Sequence, residues 1–182
     1  MDSLYNRYAG ALISVAEEEN KLVEFKDDVK VLLKAFNEES ELEHLFSSCA
    51  LTFEEKEKVI EDCFAKYISE EVRNFLKIII RNRRTHAFKK IAREFIKLAN
   101  ERLGIKEGIA YSVDKLSEDE LHRIESKLSE IMKVKVELTN MIDERLIGGV
   151  KVVIEDKIFD GSIKNKIESL RTSLIGGNHN GI

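Results

Sequence analysis

Proline is missing from all 182 residues, where roughly 5% is usual. Helix ends must therefore be set by side-chain caps and by glycine, since no residue lacks its backbone donor. Long apolar runs are missing as well. No stretch of about 18 apolar residues occurs, so no bilayer-spanning helix is expected. The first residues, Met1-Asp2-Ser3-Leu4-Tyr5, carry no basic segment ahead of an apolar one, and no secretion signal is expected. Cysteine is scarce. Cys49 and Cys63 sit on separate helical patterns among apolar neighbours, which predicts buried free thiols in a reducing compartment and hence a cytoplasmic protein. A large charge of one sign is also absent: 30 Lys+Arg against 34 Asp+Glu leave −4, so the whole molecule is not a polyanion binder.

What is present is 43% hydrophobic and 35% charged residues, enough for one medium domain or two small ones with modest cores. Up to about Leu103 the periodicity is helical throughout. Leu4, Tyr8, Ala11, Leu12 and Val15 form a first stripe; Leu22, Phe25, Val29, Leu32, Leu33 and Phe36 form a second. Ser40 with Glu43, and Thr52 with Glu55, are spaced as capping boxes for a third and a fourth helix. Ser69 is placed to cap a fifth, bearing Val72, Phe75, Leu76, Ile79 and Ile80. A sixth runs from about Thr85 with Ala87, Phe88, Ile91, Phe95 and Leu98. Six one-striped helices with short connections predict an all-helical six-helix N-terminal bundle over residues 1–104.

The period changes near Gly104. Ile109, Tyr111 and Val113 alternate; so do Val134, Val136 and Leu138, and again Val150, Val152 and Ile154. Between the first two runs, Ser117 with Glu120 opens a helix carrying Leu121, Ile124, Leu128 and Ile131. Asp160-Gly161-Ser162 opens a last helix with Ile163, Ile167, Leu170 and Leu174. The expectation for residues 105–176 is a small alpha/beta domain in the order strand-helix-strand-strand-helix. Residues 177–182 read as a flexible tail. Gly148-Gly149 is expected to shape the turn where two strands meet, Asp160 to cap the last helix, and Gly161 to let its start turn tightly.

Charge is uneven along the chain. Residues 1–72 hold eight Lys/Arg against eighteen Asp/Glu, a net of −10, and residues 73–104 hold ten against two, a net of +8. The basic part centres on Arg81, Arg83, Arg84, Lys89, Lys90 and Arg93. It lacks an aromatic-interleaved or glycine-rich reader motif, so offset by acidic neighbours in the same bundle, or a protein partner, is expected rather than nucleic acid. Reactive chemistry finds no candidate. His44, His86, His122 and His179 are far apart, and Cys49 and Cys63 have no further pair to complete a zinc site. Glu17-Glu18-Glu19 and Glu54-Glu55 read as solvated helix residues, and there is no phosphate loop, nucleophile elbow or HExxH. No catalytic residue, cofactor or metal is expected.

The most specific stretch runs from Val136 to Leu174. Asp143-Glu144-Arg145-Leu146-Ile147-Gly148-Gly149-Val150, then Ile154 and Asp156, then Phe159-Asp160-Gly161-Ser162-Ile163, with Ile167 and Leu170, resemble the C-terminal signature of the delta subunits of bacterial F-type ATP synthases and their mitochondrial equivalent, the oligomycin-sensitivity-conferring protein. Tyr8-Ala9, Ala11-Leu12 and Ala16 resemble that family's opening helix; Asn74-Phe75-Leu76, Arg84, Ile91, Phe95 and Asn100-Glu101 resemble its fifth and sixth. Two departures stand out: Glu144 where the family usually has proline, and Asp114-Lys115-Leu116 where it tends to a small pair before the leucine.

The resemblance implies a non-catalytic stator subunit at the cytoplasmic face of a bacterial cell membrane, attached through its partners. The bundle would hold the alpha subunits of the catalytic head, and the C-terminal domain the b subunits of the peripheral stalk. An alpha-subunit helix would lie against Tyr8, Ala11, Leu12, Val15, Phe75, Leu76, Ile79 and Ile80. The stalk would meet Ile163, Ile167, Leu170 and Leu174, while Leu146, Ile147, Gly148, Gly149, Asp160, Gly161 and Ser162 would be mainly structural. All the apolar positions serve core packing equally well on the sequence alone. The alternative is a helical adaptor or regulatory domain that binds another protein or, less favoured, nucleic acid.

Overall fold

Six helices come first along the chain in the computed structural model, which describes residues 4–163 together with Asn165 and Ile167. They are α1 Leu4–Glu18, α2 Leu22–Glu38, α3 Ser40–Ser47, α4 Phe53–Phe64, α5 Glu70–Arg81 and α6 Phe88–Leu103, with a 3-10 turn at Thr85–Ala87 before the last. Without proline, the ends are set by capping and by left-handed residues. Glu55 N–H donates to Thr52 Oγ1 at 3.3 Å and Thr52 N–H donates to Glu55 Oε2 at 2.8 Å, the reciprocal box that opens α4. At the end of α1, Asn20 adopts φ 56°, and Lys21 N–H donates to Ala16 O and Asn20 N–H to Glu17 O, a Schellman closure.

Two expected caps are different. Ser40 already lies inside α3, because Glu39 alone joins α2 to α3 and occupies both the C-cap of one and the N-cap of the other. Ser69 is the N-cap residue of α5 but caps nothing with its side chain. Its hydroxyl and its N–H both donate to Asp28 Oδ2, at 2.5 and 2.8 Å, and so tie α2 to the start of α5.

The stripes meet in one core that includes Phe25, Leu32, Phe36, Ile60, Leu76 and Phe88. The Phe36 ring centre lies 4.5 Å from that of Phe88 and 6.0 Å from that of Phe46. Each such side chain contributes about 1.5–3 kcal/mol by burial. One polar pair is enclosed with them: Lys26 Nζ donates to Asn100 Oδ1 at 3.2 Å, both residues buried. The cysteines are not buried. Cys49 is exposed in the α3–α4 connection, and Cys63 is exposed on α4 because Ile60 and Phe64 define its inward face.

The chain divides into Met1–Arg102 and Leu103–Ile182. The second unit contains β1 Ile105–Ser112, α7 Glu118–Met132, β2 Lys135–Ile142, β3 Val150–Ile154 and β4 Lys157–Asp160. The sheet order is β2-β1-β3-β4, with β1 parallel to β2 through the α7 crossover and the other two pairs antiparallel. Leu121, Ile124, Leu128 and Met132 of α7 pack on Ala110, Val136, Leu138, Val152 and Ile154.

This sheet corrects three expectations. A fourth strand, β4, follows β3 through the two-residue turn Glu155-Asp156, with Ile154 paired to Lys157. Glu155 takes φ 49° there, a conformation usually announced by asparagine or glycine, so the hairpin carries no sequence signal. On β1 the face toward α7 is Gly108, Ala110 and Ser112, not the bulky alternates Ile109 and Tyr111. A Cβ on Gly108 would lie 2.5 Å from Ile154 Cγ1 and 2.9 Å from Leu138 Cδ2. Lastly, Gly148-Gly149 is not a turn between paired strands, because β1 lies between β2 and β3.

Candidate partner-binding groove

Tyr8, Ala11 and Val15 follow one another at helical spacing along one edge of α1, beside the buried Ala9, Leu12, Ile13 and Ala16. On α5 and its C-cap residue, Glu71, Phe75, Ile78 and Asn82 line up in the same way beside the buried Val72, Leu76 and Ile79. The two rows face each other. Asn82 Nδ2 donates to the Tyr8 hydroxyl at 3.1 Å, and the rings of Tyr8 and Phe75 meet edge to face with centres 6.5 Å apart. At the far end, Lys21 just past α1 meets Glu71 at 3.5 Å. The start of α1 thus lies by the end of α5, and the helices run antiparallel.

This geometry sorts the expected contact residues. Leu12, Leu76 and Ile79 are buried at 3, 0 and 0% exposure, and Ile80 at 4%; they form the floor and the core. Ala11 and Val15 are exposed, Tyr8 is half-buried, and Phe75 is buried at 7% exposure. One residue was missed: Ile78 is 52% exposed on the α5 row. Its signal was available, since it is the isoleucine of the Ile78-Ile79-Ile80 run that falls off the buried stripe.

Charge frames the groove. Arg84 Nη1 donates to the Tyr8 hydroxyl at 3.2 Å, and its guanidinium lies 5.3 Å from the Tyr8 ring centre. The hydrogen bond that Lys21 donates to Glu19, with attraction to Glu19 and Glu71, raises the pKa of Lys21 above the ordinary lysine value. Elsewhere the basic stretch is partly offset within the bundle. Arg73 and Lys77 both meet Glu61, at 2.9 and 2.5 Å, and Lys89 meets Glu43 at 3.6 Å. The Lys77 hydrogen bond, with the charge of Arg73, holds Glu61 below the usual glutamate range.

In the second unit the signature residues surround the start of β3. Asp143 N–H donates to Ser112 O at 2.8 Å, tying the segment after β2 to the end of β1. Arg145 donates to Asp143 through Nε and Nη2 at 2.8 and 3.0 Å and lowers that carboxyl's pKa. Gly149 has φ 80°, and a Cβ there would lie 2.5 Å from Gly161 O. Gly161 serves this close approach and not a turn: its N–H donates to Val150 O at 2.9 Å. The cap at 162 is Ser162, whose Oγ accepts from Asn165 N–H at 3.2 Å; Asp160 Oδ1 accepts from Ser162 N–H instead. Leu146 is half-buried and Ile147 is 70% exposed. Ile163 and Ile167 are 45 and 57% exposed. Leu170, Leu174 and the expected tail lie outside the described residues.

No group of His, Cys, Asp and Glu among the described residues is placed to hold a metal ion, and none of their helices is long and apolar enough to cross a membrane. What the geometry provides is an exposed apolar strip on two antiparallel helices of an all-helical unit, with no chemical group among the described residues set over it. The sequence profile of the ATP synthase delta (OSCP) subunit family matches residues 4–174, and the chain belongs to that family. It is 38% identical over 168 residues to the ATP synthase subunit delta of Mycoplasma mobile, covering 92% of this chain and 93% of that one. The corresponding protein of a Geobacillus species is 33% identical over 171 residues, with 93 and 96% covered. Among solved structures, a chain of the Toxoplasma gondii mitochondrial ATP synthase hexamer shares the fold, with TM-score 0.65, 18% identity and coverage of 96 and 98%. As a member of this family the chain is a non-catalytic subunit of the ATP synthase peripheral stalk.

Proposed function

We propose that this chain links the alpha subunits of the catalytic head to the b subunits of the peripheral stalk and carries the counter-torque between them, from the cytoplasmic face of the membrane. The observation that carries the reading is the exposed apolar row on α1 and α5, namely Ala11, Val15 and Ile78, set over a floor of fully packed residues. An amphipathic helix of an alpha subunit fits such a row: Ala11 lets its backbone approach, and Val15 and Ile78 supply area to bury. A stator needs slow dissociation and no chemistry. Two units with separate partners serve this, because the first contact raises the effective concentration for the second. On the second unit, Ile163 and Ile167 are exposed apolar residues available to the stalk, with Leu170 and Leu174 as continuations of that row in sequence.

The test is calorimetric titration of the full chain into catalytic head stripped of its delta subunit. One-to-one binding that Val15→Glu and Ile78→Glu both weaken places the head on this groove. Unchanged affinity in both variants, with the fold intact, would remove the groove from the contact.

A further inference from the structure

The turn after α5 points its residues two ways. Asn82 and Arg84 reach Tyr8 in the groove, whereas Arg81 and Arg83 line a separate cavity of about 450 Å³ between this turn and the α3–α4 connection. The volume lies in the range of small-molecule sites, roughly 300–1,000 Å³. Phe46, Phe53 and Ile80 give it apolar walls, and Lys56, Arg81 and Arg83 bring three cations against the single carboxylate of Glu54 among its described lining residues.

Those arginines are not used up by the fold. Arg73, Lys77, Lys89 and Arg102 each have a carboxylate partner; Arg81 and Arg83 have none among the described residues. Arg81 instead lies 4.8 Å from the centre of the Phe53 ring. Arg83 stands at φ 56°, in a Schellman closure made by Arg83 N–H to Ile80 O and Arg84 N–H to Ile79 O. Glycine is the usual residue at that left-handed position, and a residue with a side chain is strained there. Thr85 also lines the cavity, but its hydroxyl oxygen is sealed from solvent, so polar contact with a ligand falls to the two arginines.

We propose that this cavity binds a small phosphorylated anion, with its phosphate held by the Arg81 and Arg83 guanidiniums and any apolar body against Phe53. Guanidinium forks match phosphate oxygens in pairs, and a surplus of cations suits a multiply charged phosphate better than a lone carboxylate. The inference does not depend on the head-docking reading, since these cations lie off the groove.

The full chain is titrated by calorimetry at low salt, without magnesium, with inorganic pyrophosphate and separately with ATP, and amide NMR shifts locate the site. Saturable one-to-one binding is expected, with shifts at residues 48–54 and 81–86. Replacing both exposed arginines, Arg81→Gln with Arg83→Gln, weakens it about tenfold or more. Thr85→Val, which keeps shape and removes the sealed, unpaired hydroxyl, leaves the affinity unchanged while the Tm holds or rises. Equal affinity for the two probes identifies a free polyphosphate site; tighter binding of ATP identifies a phosphate ester with a body that the Phe53 wall recognises. Non-saturating heats with both probes, or affinity unchanged in the double variant, overturn the proposal.

Discussion

The Tyr8 hydroxyl accepts a hydrogen bond from Arg84 Nη1 at 3.2 Å while the same guanidinium lies 5.3 Å from the centre of the Tyr8 ring. Two contacts thus join the first helix to the turn that follows the fifth, residues 76 apart in sequence. They set the distance between the rows that form the groove. The link is made by a half-buried pair and not by the core, so it can be altered without collapsing the bundle.

Tyr8→Phe keeps the ring against Phe75 and under Arg84 but removes the acceptor for both Asn82 and Arg84. A loss of about 0.5–1.5 kcal/mol in urea-denaturation stability is expected. Arg84→Ala also removes the ring contact, about 0.5–1 kcal/mol more. A double-mutant cycle between the two should show coupling of about 0.5 kcal/mol or more. Additive effects would mean the pair is not a link.

Ile78 and Leu76 are two residues apart on α5 yet face opposite requirements, at 52 and 0% exposure. Ile78→Glu should change stability by no more than about 0.5 kcal/mol but weaken binding to the catalytic head about tenfold or more. Leu76→Ala should cost about 2–5 kcal/mol of stability, with any binding loss following the unfolded fraction. Urea melts and head titrations on the same preparations separate the two effects.

Much of this was legible in the chain. The α4 and α7 starts were written in Thr52–Glu55 and Ser117–Glu120, because a capping box is a local device that needs no tertiary partner. The stripes of α2, α5 and α6 gave the core faces for the same reason, whereas on α1 only Leu12 of the expected stripe is buried and the core takes Ala9, Ile13 and Ala16 instead. What could not be read was whatever depends on a distant neighbour. Ser69 is claimed by Asp28, 41 residues away. The small face of β1 follows from the closeness of Ile154 and Leu138 to Gly108. Which apolar stripe residues remain exposed depends on how the helices meet, so Leu12 and Val15 looked alike in sequence and differ in the fold.

Gly108 and Gly149 should be intolerant for separable reasons. Gly108→Ala places a methyl 2.8 Å from Val153 O and against two core side chains; overpacking of this kind costs about 1–3 kcal/mol. Gly149→Ala meets Gly161 O at 2.5 Å in a backbone with φ 80°, adding conformational strain of about 1–3 kcal/mol. Hydrogen exchange should show protection falling in β1 and β3 for both variants, while α2, α5 and α6 keep theirs. Loss of protection across both units would show that they unfold as one.

Glu61 on α4 receives both Arg73 and Lys77 from α5, and its pKa lies below the ordinary value mainly through the Lys77 hydrogen bond. A depressed carboxyl stabilises the folded state at pH values above its unfolded pKa of about 4.3, and that contribution is lost as pH falls through the folded value. Glu61→Gln should therefore be less stable than the parent at neutral pH. The gap should close as the solution is acidified below about pH 4, where the parent's carboxyl also becomes neutral. Glu55, Glu120 and Asp143 are depressed in the same direction, so both proteins keep an acid limb, and the variant's is the shallower. Thermal melts from pH 7 to pH 3 on the two proteins decide it. A gap that stays constant across that range would assign the Glu61 contacts to packing, with charge contributing nothing measurable.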